Sequence, residues 1–312
     1  MSIETRDFPV PAPLLERARA WLAAQAAGVS PEPVAARPAS TVMLVRDPAT
    51  AEEAVGGLEA APEVFMIRRV PTMEFAPNMW VFPGGGVDAR DADPALPWAG
   101  PNPKEWARAL VAVDEAQARE LVIAAAREVF EECGVLLAGP DERTVVADVS
   151  GTEWEAERQS LLSREQSFAQ LLKKRGLVLR TDLLRARAHW ITPVFEPRRF
   201  DTRFFAALLP EGQVPDDATS EADTAAWVIA ADLLAELEAG TAMMFPPTKV
   251  CLEQVRTATS ARDFLDRGPA VRVIMPTLTR LSDGEQAAGG AVDPAELAAM
   301  VDRIVMRTEL PV

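Results

Sequence analysis

A single α/β or α+β core is the fold class this sequence predicts, on three observations. Short apolar, partly β-branched runs alternate with helical stretches through the middle of the chain. One long segment, 115–133, carries clear helix start and stop signals. No apolar run approaches the ~18 residues of a membrane span. A length of 312 residues allows about two domains or one elaborated domain.

The elements follow in order. Leu14 to Ala27 is Ala-rich and reads as a helix, broken between Gly28 and Ser40 by Pro31, Pro33 and Pro38. Thr41–Val45 and Val64–Val70 are short apolar strands, separated by a loop with Gly56 and Gly57. Met79–Phe82 is a third extended run that stops at Pro83-Gly84-Gly85-Gly86. Residues 88–113, rich in Asp, Pro and Trp, are predicted as a surface excursion. Glu115 to Cys133 is the clearest helix. Asp114 is its N-cap, with Gln117 three residues on, and Gly134 is its stop. Residues 152–174 read as helical. Trp190–Phe195 and Arg203–Leu209 are strand candidates around the basic turn Pro197-Arg198-Arg199. Ala226–Ile229 is a last strand leading into a helix at Asp232–Glu238, and 241–312 is predicted mostly helical. This gives a helical N-terminal extension (1–38), a central domain (39–240) with an insertion at about 92–113, and a helical C-terminal extension (241–312).

Charge and scarce residues exclude whole classes. A net charge of −15 opposes nucleic acid or an anionic membrane surface as the main partner. His189 is the only histidine, so no zinc motif with two histidines can form within the chain. No G-x-S-x-G elbow gives His189 a nucleophile, and a structural role is expected. Cys133 and Cys251 make no C-x-x-C, which excludes cysteine-rich zinc and iron–sulfur sites. Sparse cysteine, and a start and end without a familiar targeting signal, suggest the cytoplasm.

The chemistry sits in Arg127-Glu128-Val129-Phe130-Glu131-Glu132-Cys133-Gly134-Val135. At about 100° per residue, Glu128, Glu131 and Glu132 share an arc of roughly 100°, opposite Val122, Ala126, Val129 and Cys133. Like charges at these spacings cost roughly 0.2–0.5 kcal/mol each on an exposed helix, and more in a cleft. Arg127 offers one i,i+4 partner. A hard divalent cation would neutralise the rest, and carboxylate oxygens suit Mg²⁺ or Mn²⁺. The competing reading is a solvated acidic face. Upstream, three glycines follow a strand directly, where the backbone can approach a ligand closely and offer a carbonyl. Gly84-x-Gly86-x-x-Ala89 is not a dinucleotide fingerprint, because no helix pattern follows it.

Together these segments resemble the Nudix signature, G-x5-E-x7-R-E-U-x-E-E-x-G-U with U aliphatic. Gly85 matches its first glycine, and Asp91 stands where the family has Glu. Arg127, Glu128, Val129, Glu131, Glu132, Gly134 and Val135 match its second half. Between Asp91 and Arg127 stand 35 residues where the pattern has 7, an insertion of 28. The W-V-F-P-G-G start, the split and R-E-x-F-E-E-x-G-V-L-L resemble the acyl-coenzyme A diphosphatase branch. So do Trp190-Ile191-Thr192-Pro193, the run from Pro197 to Phe204, and Phe245-Pro246-Pro247-Thr248.

The resemblance implies an α/β/α sandwich with a mixed sheet, and metal-dependent cleavage of a diphosphate. It implies that Glu128, Glu131 and Glu132 are catalytic and hold Mg²⁺ or Mn²⁺, with the Gly84 or Gly85 carbonyl helping. It also implies that Arg127, Asp88 and Gly134 shape the motif. Asp91 is expected to lose its usual role, because the insertion separates it from the helix. Glu221 and Asp223 are candidates for a further acid on a later loop. An acidic protein needs local positive charge to hold an anionic small molecule, and Arg68, Arg69, Arg198, Arg199 and Arg203 border strands that should reach the site. Coenzyme A esters are the favoured substrates. ADP-ribose or another nucleoside diphosphate derivative, or a silent ligand sensor, are the alternatives. The expected partner is a small-molecule diphosphate, with no nucleic acid and no membrane, and a homodimer is open to the chain.

Overall fold

A computed structural model describes residues 3–11, 14–29, 31–48, 61–70, 72, 77–216, 222–282, 285–290 and 303–311. In chain order the elements are β1 (Ile3–Pro9), α1 (Leu15–Ala26), β2 (Arg37–Arg46), β3 (Glu63–Arg69), β4 (Trp80–Val81), β5 (Gly84–Gly86), β6 (Trp98–Ala99), α2 (Pro103–Leu110), α3 (Glu115–Cys133), β7 (Ala138–Gly139), α4 (Thr152–Leu162) and α5 (Phe168–Arg175). They continue with β8 (Val178–Arg180), β9 (Leu184–Ile191), β10 (Phe200–Leu208), β11 (Ala222–Ile229), α6 (Ala230–Glu238), α7 (Pro246–Arg256), α8 (Ala261–Asp266), β12 (Val273–Ile274), β13 (Thr277–Arg280) and β14 (Ile304–Pro311). The fold is mixed α/β, as predicted. Two units divide the chain, one of residues 39–187 and 203–268, the other of 1–38, 188–202 and 269–312.

The larger unit is built on a sheet of order β11-β3-β2-β10-β9, with β4 on β3 and β5 on β2. Val42 to Val45 of β2 and Val64 to Ile67 of β3 are buried without interruption. Such continuous apolar runs belong to strands covered on both faces. Val42, Leu44, Phe65 and Ile67 join Leu121, Val122, Ala125, Ala126 and Val129 of α3 in one apolar core. The helix therefore lies against the sheet, and this contact positions the site.

Residues 92–113 are not the surface excursion the sequence suggested. Trp98 and Ala99 pair with β8 in a small sheet, β6-β8-β7. Asn102 caps α2 through a reciprocal box with Glu105. Trp106 and Leu110 are buried, and the Trp106 ring lies 5.8 Å from that of Phe205. Arg119 of α3 donates to the carbonyls of Asp93, Pro94 and Leu96, pinning the start of the insertion to the helix. The aromatic and apolar residues of the insertion supply core, which its Asp and Pro content hid. The single helical stretch expected at 152–174 is two helices, the second capped by Ser167.

The smaller unit corrects the expectation of helical extensions. α1 is helical, but β1 pairs antiparallel with β14 along seven residues, from Ile3↔Pro311 to Pro9↔Val305, and β13 lies on the other side of β14. Buried Asp7 binds Arg307 at 2.8 and 2.9 Å and accepts from the Ala288 N–H. α7 and α8 belong to the larger unit, and the described residues beyond them form β12, β13 and β14. Residues 291–302 of that C-terminal stretch lie outside the described residues.

Candidate active site

α3 forms where its boundary signals place it. The Asp114 side chain accepts from the Gln117 N–H at 2.8 Å, and Gly134 ends the helix in the left-handed conformation, φ 68°. From Leu121 to Glu131 every residue is buried. The acidic face is therefore enclosed rather than solvated: Glu128 and Glu131 are each 8% exposed. Ala124, one turn before Glu128, adds little bulk there.

The glycine turn is laid onto this face by β2. Ala39, Ser40 and Thr41 pair with Gly86, Gly85 and Gly84, and the Val42 N–H donates to the Pro83 carbonyl. The Ser40 hydroxyl donates to the Leu121 carbonyl at 2.7 Å, tying the strand to the helix. The Gly84 N–H donates to Glu132 Oε2 at 2.8 Å. A Cβ on Gly85 would lie 2.5 Å from Glu128 Oε1, and one on Gly84 would lie 2.5 Å from the Ser40 carbonyl. Only glycine permits this approach of backbone to carboxylate. Gly86 has open space at the same position.

Arg127 is the hub. Its Nε and Nη2 donate to Asp91 Oδ1 and Oδ2, both at 3.0 Å, and Nη2 also donates to the Gly86 carbonyl at 2.9 Å. Its Nη1 donates to Glu128 Oε1 and to Glu131 Oε2, each at 2.7 Å. The expectation that Asp91 loses its role is thus corrected. Asp91 is 1% exposed and clamps the arginine: the turn Ala89–Ala92 packs on α3, so the insertion separates the two residues in sequence but not in space. Asp91 also accepts from the Asp88 N–H at 2.8 Å, while Asp88 accepts from the Arg90 N–H, so the two acids box the turn Ala89–Ala92. Arg90 and Arg164 both pair with Asp88 and hold its carboxyl well below the usual range, Arg90 foremost.

Burial strains this cluster electrostatically. It pushes the Glu128 carboxyl up to about 7; Arg127 opposes the rise and Glu131 adds to it. Burial also raises Glu131, against Arg127. For Arg127 burial works against the charge, and Glu128, Asp91 and Glu131 outweigh it, so the guanidinium stays protonated.

Two carboxylates that converge on one guanidinium nitrogen, and a third within reach of the same glycine turn, are hard oxygen donors of the kind Mg²⁺ and Mn²⁺ take. The chemistry of the donor set and the glycine cradle over Glu128 fit a divalent ion. The trio is not gathered into a cage, however. Glu132 is turned to Gly84, and no group of three acid, histidine or cysteine side chains stands ready to enclose an ion among the described residues.

The predicted arginines separate. Arg68 and Arg69 are half-buried on β3. Arg68 donates to Thr224 Oγ1 and lies 5.9 Å from the Trp80 ring centre. Arg203 is 1% exposed and donates to the Leu110 and Val111 carbonyls that end α2. Arg199 is buried in the smaller unit and donates to the carbonyls of Thr192 and Val34. Both are buried and engaged with backbone carbonyls, while Arg198 is exposed in the smaller unit. Glu221 lies outside the described residues. Asp223 falls at the irregularity between Ala222 and Thr224 in β11, with its side chain outside them. His189 is buried against Asp201 at 2.5 Å, and Cys133 is a buried thiol whose burial raises it. Sequence reasoning missed Arg158, which donates to the Glu131 carbonyl; nothing in its local pattern marks it.

A family model described as the NUDT19 Nudix domain matches residues 101–254, which include all of α3. The chain is 30% identical over 184 residues to a Caenorhabditis elegans protein provisionally named nudix hydrolase 7, covering 59% of this chain and 52% of the relative. It is 24% identical over 227 residues to the Xenopus laevis acyl-coenzyme A diphosphatase NUDT19, covering 59% of this chain and 57% of that protein. The chain spans about half the length of the curated relatives it matches. A crystal structure of a NUDIX hydrolase from Alicyclobacillus acidocaldarius is 27% identical with a TM-score of 0.61, and the match covers 76% of this chain and 98% of that one. In fold the chain is similar to a Nudix hydrolase, and over residues 101–254, which hold the helix that carries the acids, to the NUDT19 Nudix domain.

Proposed function

We propose that this protein is a cytoplasmic, Mg²⁺- or Mn²⁺-dependent diphosphatase that hydrolyses the diphosphate linkage of coenzyme A or its acyl esters. One observation carries the reading: Arg127 gathers Glu128 and Glu131 while the glycine turn presses on Glu128 and binds Glu132. Glu128 and Glu131, buried on one helix face beside half-buried Glu132, cost stability, and the cost is offset when the three hold a cation. Glu128, Glu131 and Glu132 would hold it, helped by a carbonyl of Gly84 or Gly85. A divalent cation at such a site supplies charge screening and Lewis-acid polarisation of the phosphoryl oxygens. The chain's own residues do the rest. The Asp91–Arg127 clamp fixes the turn against the helix. Without metal, burial lifts the Glu128 carboxyl to about 7; a cation held there would favour its charged form. Arg68 and Arg69 present positive charge on β3 for the anionic substrate. The match to the NUDT19 Nudix domain supports coenzyme A esters as the substrate class.

Incubation with Mg²⁺ and a panel of coenzyme A esters, ADP-ribose, NADH and diadenosine polyphosphates tests this. Adenosine 3′,5′-bisphosphate is the expected product. AMP from ADP-ribose alone would move the substrate to nucleoside diphosphate derivatives. Saturable binding without turnover would make the protein a sensor.

A further inference from the structure

α3 ends in an unfavourable electrostatic arrangement. The C-terminus of a helix carries about half a negative charge from its unpaired carbonyls, so acids in the last turn are disfavoured there. α3 places Glu131 and Glu132 in that turn and has no basic residue in it. Arg127, one turn earlier, answers the Glu131 carboxylate, but the carbonyls at the helix end are met by a different element. Arg158 of α4 is 2% exposed; its Nε donates to the Glu131 carbonyl at 2.8 Å and its Nη1 to Asp216 Oδ2 at 2.5 Å. Asp216 in turn donates its backbone N–H to the Cys133 carbonyl at 3.0 Å, and the Gly134 N–H donates to the Phe130 carbonyl at 3.0 Å. Three of the last four carbonyls are thereby held, two of them by Arg158 and its partner. A side chain at Gly134 would intrude, its Cβ 3.0 Å from Asp216 Oδ2.

We infer that Arg158 is a positioning residue for the acid cluster: by gripping the Glu131 carbonyl and, through Asp216, the Cys133 carbonyl, it sets the turn from which Glu131 and Glu132 reach a divalent cation. The inference rests on the cation-binding reading above. Arg158 is 2% exposed and bonds the Glu131 carbonyl, Asp216 and, at 3.6 Å, Glu155, so the role inferred is exerted through the helix end. A plain structural cap would affect stability alone. A positioning role also changes how well the folded protein binds the ion.

Mn²⁺ binding to the full chain, followed by electron paramagnetic resonance of the free ion, separates the two. The wild type binds Mn²⁺. Arg158→Met, shown to be folded by circular dichroism, binds it about tenfold more weakly, as changes behind metal ligands do. Its kcat falls while KM stays within about twofold, and Arg158→Lys recovers part of both losses. Equal Mn²⁺ affinity in wild type and folded Arg158→Met overturns the inference, however much stability is lost. Should Arg158→Met not fold, Arg158→Gln, which lacks the charge and the forked donors, carries the test, and wild-type affinity in that folded variant overturns it. Failure of the wild type to bind Mn²⁺ overturns the cation reading and this inference with it, a result distinct from failure of Arg158 alone.

Discussion

Asp91→Asn is the perturbation whose consequence can be worked out furthest. Asp91 Oδ1 accepts from Arg127 Nε, and Oδ2 accepts from both Arg127 Nη2 and the Asp88 N–H. An asparagine has one acceptor oxygen, so either orientation of its amide sets an NH₂ against a donor. At 1% exposure no water can repair the mismatch. Breaking a buried ion pair from one side costs about 3–5 kcal/mol. Arg127 keeps Glu128 and Glu131, so the loss falls at the lower end, about 3 kcal/mol, which lowers Tm by roughly 6 °C or more. Thermal unfolding of both proteins without metal, followed by circular dichroism, measures it. A shift under about 1 °C would refute the clamp and leave Asp91 detached from the helix by the insertion.

The other predictions are independent of one another. Gly85→Ala should abolish most activity, because its Cβ meets the Glu128 carboxylate, whereas Gly86→Ala, with open space, should keep it; equal activities would refute the packing of the turn. Glu131→Gln and Glu132→Gln should each lower turnover by orders of magnitude with the fold intact, and full activity in both would remove them from the site. Glu128 has a folded pKa of about 7, raised above 4.5, so the folded state holds a proton the unfolded state has lost in between. This group's contribution therefore makes the metal-free protein less stable as pH rises from about 4.5 to 7. Tm measured against pH in wild type and Glu128→Gln checks it, the difference between them changing across that window. Arg203→Met should lower stability by roughly 2 kcal/mol, through its lost bonds to the α2 carbonyls, with KM unchanged. A large rise in KM would return Arg203 to the substrate.

Local signals carried the helix that matters. Asp114 and Gly134 bound α3 as their chemistry requires, and the spacing of Glu128, Glu131 and Glu132 placed them on one face. The glycine run was readable because a backbone in contact with a carboxylate admits no other residue. Features set by distant partners were not readable. β1 and β14 pair across nearly the whole chain, so neither betrays its partner. Arg199 and Arg203 looked like phosphate ligands because an arginine that will cap buried carbonyls has the same letter as one that will meet substrate. The role of Asp91 is hidden in the sequence because 35 residues separate it from Arg127, and that separation does not carry over into space. Arg158 stayed hidden because one partner is a main-chain carbonyl and the other, Asp216, lies 58 residues away.

The central claim is that the acids of α3 and the Gly84–Gly86 turn hold a divalent cation for diphosphate cleavage. Its most direct test is an anomalous difference map from crystals soaked in Mn²⁺. The account predicts a peak bounded by Glu128, Glu131, Glu132 and the glycine turn, absent from crystals of Glu128→Gln/Glu131→Gln. No peak there, or a peak held by other residues, would contradict it.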